Sequence, residues 1–216
     1  MAAAHLVAGL DLEGRRGNAA DAIPGAGGAT VAAVVPLCAA AGAGIAVDPA
    51  VLDALARRLD EMTDPASGVA EWPRATPPAA GEQRLAPYRD SDLTGGVLLA
   101  RIFLGQNPTS HPVLRAHAGH LARHLPARDP GDAELYLRRL HDATYAMSRM
   151  GGQHSAEWND AMKKALLPAQ VRTGREKGTW DPRGPAGRAG GRVLATALAA
   201  RTLEVYSRTT PLPAGR

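Results

Sequence analysis

Four stretches of the chain are apolar on nearly every side, and each carries a threonine near its start. They are Ala29-Thr30-Val31-Ala32-Ala33-Val34, Leu93-Thr94-Gly95-Gly96-Val97-Leu98-Leu99, Ala143-Thr144-Tyr145-Ala146-Met147 and Ala195-Thr196-Ala197-Leu198-Ala199. The first three are followed by a glycine-bearing turn and then by a helix with a single apolar stripe. In the first pair that stripe is Val51, Leu55 and Leu59 or Met62, opposed by Asp53, Arg57, Arg58 and Glu61. A helix apolar all round is buried on most sides, and a one-striped helix covers it from outside. The repeating order predicts an inner and an outer layer of helices, an all-α array curved as a solenoid or closed toroid.

Start and stop signals fit this reading. Asp48-Pro49 supplies an N-cap and a first-turn proline for the second helix, and Pro112 supplies the first-turn proline for the fourth. Ser155 with Glu157 opens the outer helix of the third pair, and Gly105 and Gly151-Gly152 stop helices. Three connections read as loops: 63–90, rich in proline, 126–131, and the basic stretch 171–191. No strand pattern emerges. Residues 25–47 carry no charge but are mostly Ala and Gly around Pro36, which favours a buried helix and a loop over a membrane span.

Composition narrows the chemistry. The 216 residues are 45% hydrophobic and 21% charged, enough for a core without disulfides or metals. Aromatic residues are only 4%: one Phe, three Trp and four Tyr. The net charge is +4, which permits weak attraction to anions without demanding nucleic acid. A single cysteine, Cys38, lies in an apolar run and reads as a structural thiol. One cysteine and the lack of a secretory leader pattern lead to the expectation of a cytoplasmic protein.

The third pair and the segments after it are the most specific. Trp158-Asn159-Asp160-Ala161-Met162-Lys163-Lys164-Ala165-Leu166-Leu167-Pro168-Ala169-Gln170 leads into Gly178-Thr179-Trp180-Asp181-Pro182, then Gly190-Gly191-Arg192-Val193-Leu194 and Thr202-Leu203-Glu204-Val205-Tyr206. This resembles the prenyltransferase and squalene-oxidase repeat family of bacterial proteins, which share the α/α toroid of terpenoid cyclases and protein prenyltransferases. The likeness spans roughly 29–208 and is weakest in the first pair. It implies an incomplete ring of about three to four helix pairs over residues 29–210, with an irregular segment 1–28 and a tail 211–216. It also implies that Gln170, Gly178, Trp180, Asp181 and Gly191 form the family's structural motif, tying outer helices together. The spacer from Gln170 to Gly178 is longer than in the cyclases. Gly68-Val69-Ala70-Glu71-Trp72 reads as a degenerate copy.

The family's chemistry is not carried by these residues. There is no acidic Asp-x-Asp-Asp motif, no aspartate-rich magnesium-diphosphate motif and too few aromatics to line a carbocation cavity. Tyr136-Leu137-Arg138-Arg139-Leu140-His141-Asp142 stands where the family places an aromatic cluster. Pro36 stands where a zinc aspartate would precede Cys38. Ala80-Gly81-Glu82-Gln83 lacks the thiol of a thioester motif. No catalytic residue, metal site or cofactor is assigned.

His117, His120 and His124 lie on one helical stripe, read as a solvated outer face in preference to a metal site. His141 lies one turn before Tyr145 and could face the concave side. The basic loop, with Arg172, Arg175, Lys177, Arg183, Arg188 and Arg192, could hold an anion, though a solvated face with Arg192 paired to an acid is preferred. His141, Tyr145, Arg188 and Arg192 are the candidate concave-face or anion contacts. The expected function is a non-catalytic helical module binding an isoprenoid, another small ligand or a protein partner, or self-associating through the open end of the array. The alternative is a terpenoid cyclase- or prenyltransferase-like enzyme. Neither nucleic acid nor a membrane span is expected.

Overall fold

The computed structural model describes residues 26–71, 93–126, 137–182 and 184–207, with the side chains of 26–30 and 184–189 excepted. Seven helices carry these residues: α1 (Ala26–Gly42), α2 (Pro49–Glu61), α3 (Thr94–Phe103), α4 (Pro112–Arg123), α5 (Leu137–Met150), α6 (Gly152–Leu166) and α7 (Gly184–Glu204). The only strands among them are β1 (Thr63–Asp64) and β2 (Val69–Ala70), an antiparallel pair with Thr63 opposite Ala70. The protein is all-α, as the hydrophobic pattern predicts. The expectation of no strands is corrected at this hairpin, which opens the 63–90 connection. The rest of that connection, including Ala80-Gly81-Glu82-Gln83 and Trp72, lies outside the described residues.

The chain divides into two compact units, Met1–His117 and Ala118–Arg216. In the first, α1 packs on both α2 and α3, and β2 packs on α3. The core is Val31, Val34, Leu37, Leu55, Leu59, Met62, Ala70 and Val97, with Ala33 and Ala100 letting the helices approach. In the second unit α5 packs on both α6 and α7. Trp158, Met162 and Leu166 form the buried stripe of α6, one residue per turn, facing a helix that buries Leu140, Ala143 and Met147. The predicted polarity difference therefore holds for α1 and α3 against α2.

Several boundaries follow from local chemistry. The Asp48 carboxylate accepts the Ala50 N–H at 2.9 Å, and Pro49 occupies the first turn, where no N–H is needed. Helix α1 runs unbroken through Pro36, whose ring is exposed. No helix among the described residues is long and apolar enough to cross a membrane. At the ends of α1 and α3 the pairs Gly44→Ala41 with Ile45→Ala40, and Gly105→Ile102 with Gln106→Arg101, cap the last carbonyls in Schellman fashion.

Two expectations need correction. Helix α6 begins at Gly152, with Gly151 as its cap, rather than at Ser155. Ser155 is instead buried one turn in, where its carbonyl accepts the Tyr206 hydroxyl at 3.0 Å. Helix α7 is not buried on most sides. It kinks at Gly191, and beyond the kink Val193 is 84% exposed, with Leu194 and Ala197 also exposed.

Candidate functional site

The densest polar construction in the second unit is the junction between the end of α6 and the start of the regular part of α7. Gln170 and Trp180 pair as an antiparallel bridge, and Val171 and Thr179 continue it through an N–H···O bond of 2.8 Å. The Gln170 amide donates to the Gly178 carbonyl at 3.0 Å. The Trp180 indole N–H donates to the Leu166 carbonyl at 2.9 Å, so its buried ring caps the last turn of α6. Its backbone N–H goes to the Thr196 hydroxyl on α7, at 3.2 Å. Arg192 completes the knot: one guanidinium nitrogen meets Asp181 at 2.7 Å and Thr179 at 3.2 Å, the other Glu176 at 2.8 Å. Gln170, Gly178, Trp180, Asp181 and Arg192 are thus brought together, and their polar groups bind one another and the helix end. Gly191 stands beside them as the kink of α7.

The first unit repeats the plan. Gly68-Val69-Ala70 stands for Gly178-Thr179-Trp180, and the Ala70 N–H donates to the buried Thr94 hydroxyl at 3.0 Å. Thr94 and Thr196 therefore do the same task on equivalent helices. Thr144 does another, accepting the Trp158 indole N–H at 3.0 Å. The side chain of Thr30 lies outside the described residues.

Two buried polar residues escaped the sequence reading. Arg101, 1% exposed on α3, ties the end of α2 to the hairpin: it pairs with Asp60 at 2.7 Å and with the Thr63 hydroxyl at 3.1 Å. A lone charge in Val97-Leu98-Leu99-Ala100-Arg101-Ile102-Phe103 was the available signal, since a buried charge needs a partner. His117 is fully buried, and its Nδ1–H donates to the Gly68 carbonyl at 2.9 Å. The solvated-stripe reading is corrected here: His117 shares the core stripe of Leu114, Ala118 and Leu121, while only His124 is exposed. His120 and His124 stack with ring centroids 4.4 Å apart. No group of three metal-ligating side chains forms among the described residues.

His141 is 12% exposed on α5, 3.1 Å from the Asp142 carboxylate and edge-on to the Tyr145 ring. The Arg149 guanidinium lies 5.2 Å over that ring, a cation–π contact. Arg188 lies on α7 with its side chain outside the described residues, as does all of Arg183. Arg192 is held by two carboxylates, Glu176 and Asp181, rather than by His141 or Tyr145. Cys38 is half-buried, and burial raises its thiol pKa, which keeps it protonated and un-nucleophilic.

Comparison with protein-family models, with curated proteins and with solved structures finds no match for the chain.

Proposed function

We propose that the protein is a non-catalytic helical-repeat module of the prenyltransferase and squalene-oxidase repeat kind. Its helices form part of an α/α toroid, and it binds a small ligand or a protein partner in or beside the concave face. The observation that carries this reading is the use made of the motif residues. Gln170, Trp180, Asp181 and Arg192 spend their polar atoms on the junction itself, and Thr94 and Thr196 repeat one structural link. Such residues hold a scaffold, and their polar groups, engaged with one another and with the helix end, are not offered to a substrate as general acid or base. The exposed Val193, Leu194 and Ala197 on the last helix supply apolar surface of the sort that self-association covers.

The reading is tested on the purified full chain in two arms. Incubation with geranylgeranyl diphosphate or squalene is expected to release no diphosphate and form no cyclised product. Protein-dependent product would overturn the non-catalytic half. Light scattering is expected to show an assembly larger than one chain, reduced to the monomer by Val193→Glu. A wild-type monomer that also carries no adduct in native mass spectrometry would overturn the binding half.

A further inference from the structure

We infer that the end of α6 and the loop after it form a docking surface for an anionic lipid bilayer. Lys163 and Lys164 occupy the last turn of α6, and both are exposed. One turn on, Leu167 is 42% exposed, its N–H bonded to the Lys163 carbonyl. Pro168 beside it is also exposed. Arg172 folds back so that its guanidinium donates to the Leu167 carbonyl at 2.8 Å, which fixes a third cation against the leucine. The loop returns through the Gly178 N–H to the Val171 carbonyl, leaving Arg175 and Lys177 exposed at its tip. Five exposed cations and an exposed apolar pair therefore share one short stretch of chain.

The nearby acids offset them only in part. Glu176 and Asp181 share the single cation Arg192, and Asp160 lies exposed one turn before Lys164, which leaves the cations in excess. Among the described residues Lys163, Lys164, Arg175 and Lys177 enter no ion pair. The helix dipole favours cations in the last turn of α6. It does not account for Arg175 and Lys177 in the loop, nor for an exposed leucine between the two sets of cations in the chain. Basic residues around an inserting apolar side chain are the pattern that binds phosphatidylserine-bearing surfaces, by charge and by burial together. A nucleic-acid surface fits less well. Single strands are gripped by aromatic platforms, whereas every described Phe, Tyr and Trp is buried or half-buried. An acidic peptide gives no role to Leu167.

The test is cosedimentation of the full chain with vesicles of phosphatidylcholine, with and without phosphatidylserine. Pelleting is expected only with phosphatidylserine, and is expected to vanish at about 1 M salt, where charges are screened within about 3 Å. Lys163→Glu with Lys164→Glu should weaken it at least about tenfold. Arg57→Glu with Arg115→Glu makes the same change in net charge at exposed arginines on α2 and α4, and should alter it by no more than about twofold. Leu167→Ser should lower vesicle binding several-fold without lowering residual binding to a labelled RNA oligonucleotide. No pelleting with phosphatidylserine, equal loss in both charge pairs, or indifference to Leu167→Ser would overturn the proposal. So would tighter binding to the RNA or to a polyglutamate peptide than to the vesicles.

Discussion

The two units make one joint with different materials. In each, a helix ends, the chain turns back on itself through a glycine, and the returning strand hands its N–H to a threonine on the next helix. In the first unit the paired positions, Thr63 and Ala70, are seven apart, and small residues let the backbones close up. Gly68 lies so near α4 that a Cβ there would stand 2.1 Å from the Ala116 carbonyl oxygen. In the second unit Gln170 and Trp180 are ten apart, the turn is open at Gly178, and an indole covers the end of α6. The helix end is sealed by backbone contact and a buried arginine in one case, and by an aromatic plate in the other. A link that survives such different surroundings is set by the hydrogen bond, while the packing around it is free to vary.

The largest contrast should come from the plate. Trp180→Ala removes a buried ring and strands the Leu166 carbonyl, and is expected to cost about 3–5 kcal/mol in urea unfolding followed by circular dichroism. Trp180→Phe keeps most of the plate and should cost about 1–2 kcal/mol. Ala70, the equivalent position, has no space around it. Ala70→Trp should fail to rescue any loss and instead destabilise the first unit by overpacking. Equal tolerance of Trp at both positions would break the comparison.

Next come the turn glycines. Both have positive φ, +74° at Gly68 and +89° at Gly178, where a side chain costs about 1–2 kcal/mol. Gly178→Ala should cost only that, because its Cβ would meet nothing within 4 Å. Gly68→Ala must also push the hairpin off α4 and weaken the His117 bond, which adds about 1–3 kcal/mol. The ratio of the two losses measures how tightly the first joint is closed. Thr94→Val and Thr196→Val rank third. The first leaves the Ala70 N–H orphaned in a buried site, about 1–3 kcal/mol, and the second strands a half-buried N–H, nearer about 1 kcal/mol.

Much of this was legible in residue order. The helices could be placed because stripes such as Val51, Leu55 and Leu59 recur at helical spacing, and apolar runs such as Val97-Leu98-Leu99 lie before a helix-stopping glycine. Asp48-Pro49, Pro112 and Gly105 marked ends because their local chemistry suffices. Trp180 stood out as a structural residue through the motif resemblance, and its use as a cap suits a large ring with one donor beside a helix end. What the order of residues hid is pairing at a distance. Nothing near Arg101 names Asp60 as its partner, 41 positions back. Nothing near His117 names the Gly68 carbonyl, because a main-chain acceptor leaves no trace in residue identity. The two-residue strands were too short for an alternation to register. The exposed side of α7 was missed for a related reason: an apolar helix declares that it can be covered, not that anything covers it.

The smallest test concerns how each turn is held shut. Arg192 does it in the second unit, and a carboxylate does it in the first. One Asp64 oxygen accepts the Ala66 N–H at 3.0 Å and the other the Ser67 hydroxyl at 2.6 Å, while the Ser67 oxygen takes the Val69 N–H at 3.2 Å. The Ser67 hydroxyl first, and the Ala66 N–H after it, lower the Asp64 pKa from the ordinary carboxylate range. A carboxyl held lower in the folded state than in the unfolded chain stabilises the fold above its unfolded pKa. That contribution drains away as pH falls through the folded value. The carboxylate is open to water, so the effect is small. Asp64→Asn keeps the shape and removes the titration. The gap in urea midpoint between wild type and variant should be widest near about pH 6 and close towards about pH 2. A gap that stays constant with pH would mean that the first turn is held by its backbone contact with α4 alone. The two joints would then differ in how they close as well as in what fills them.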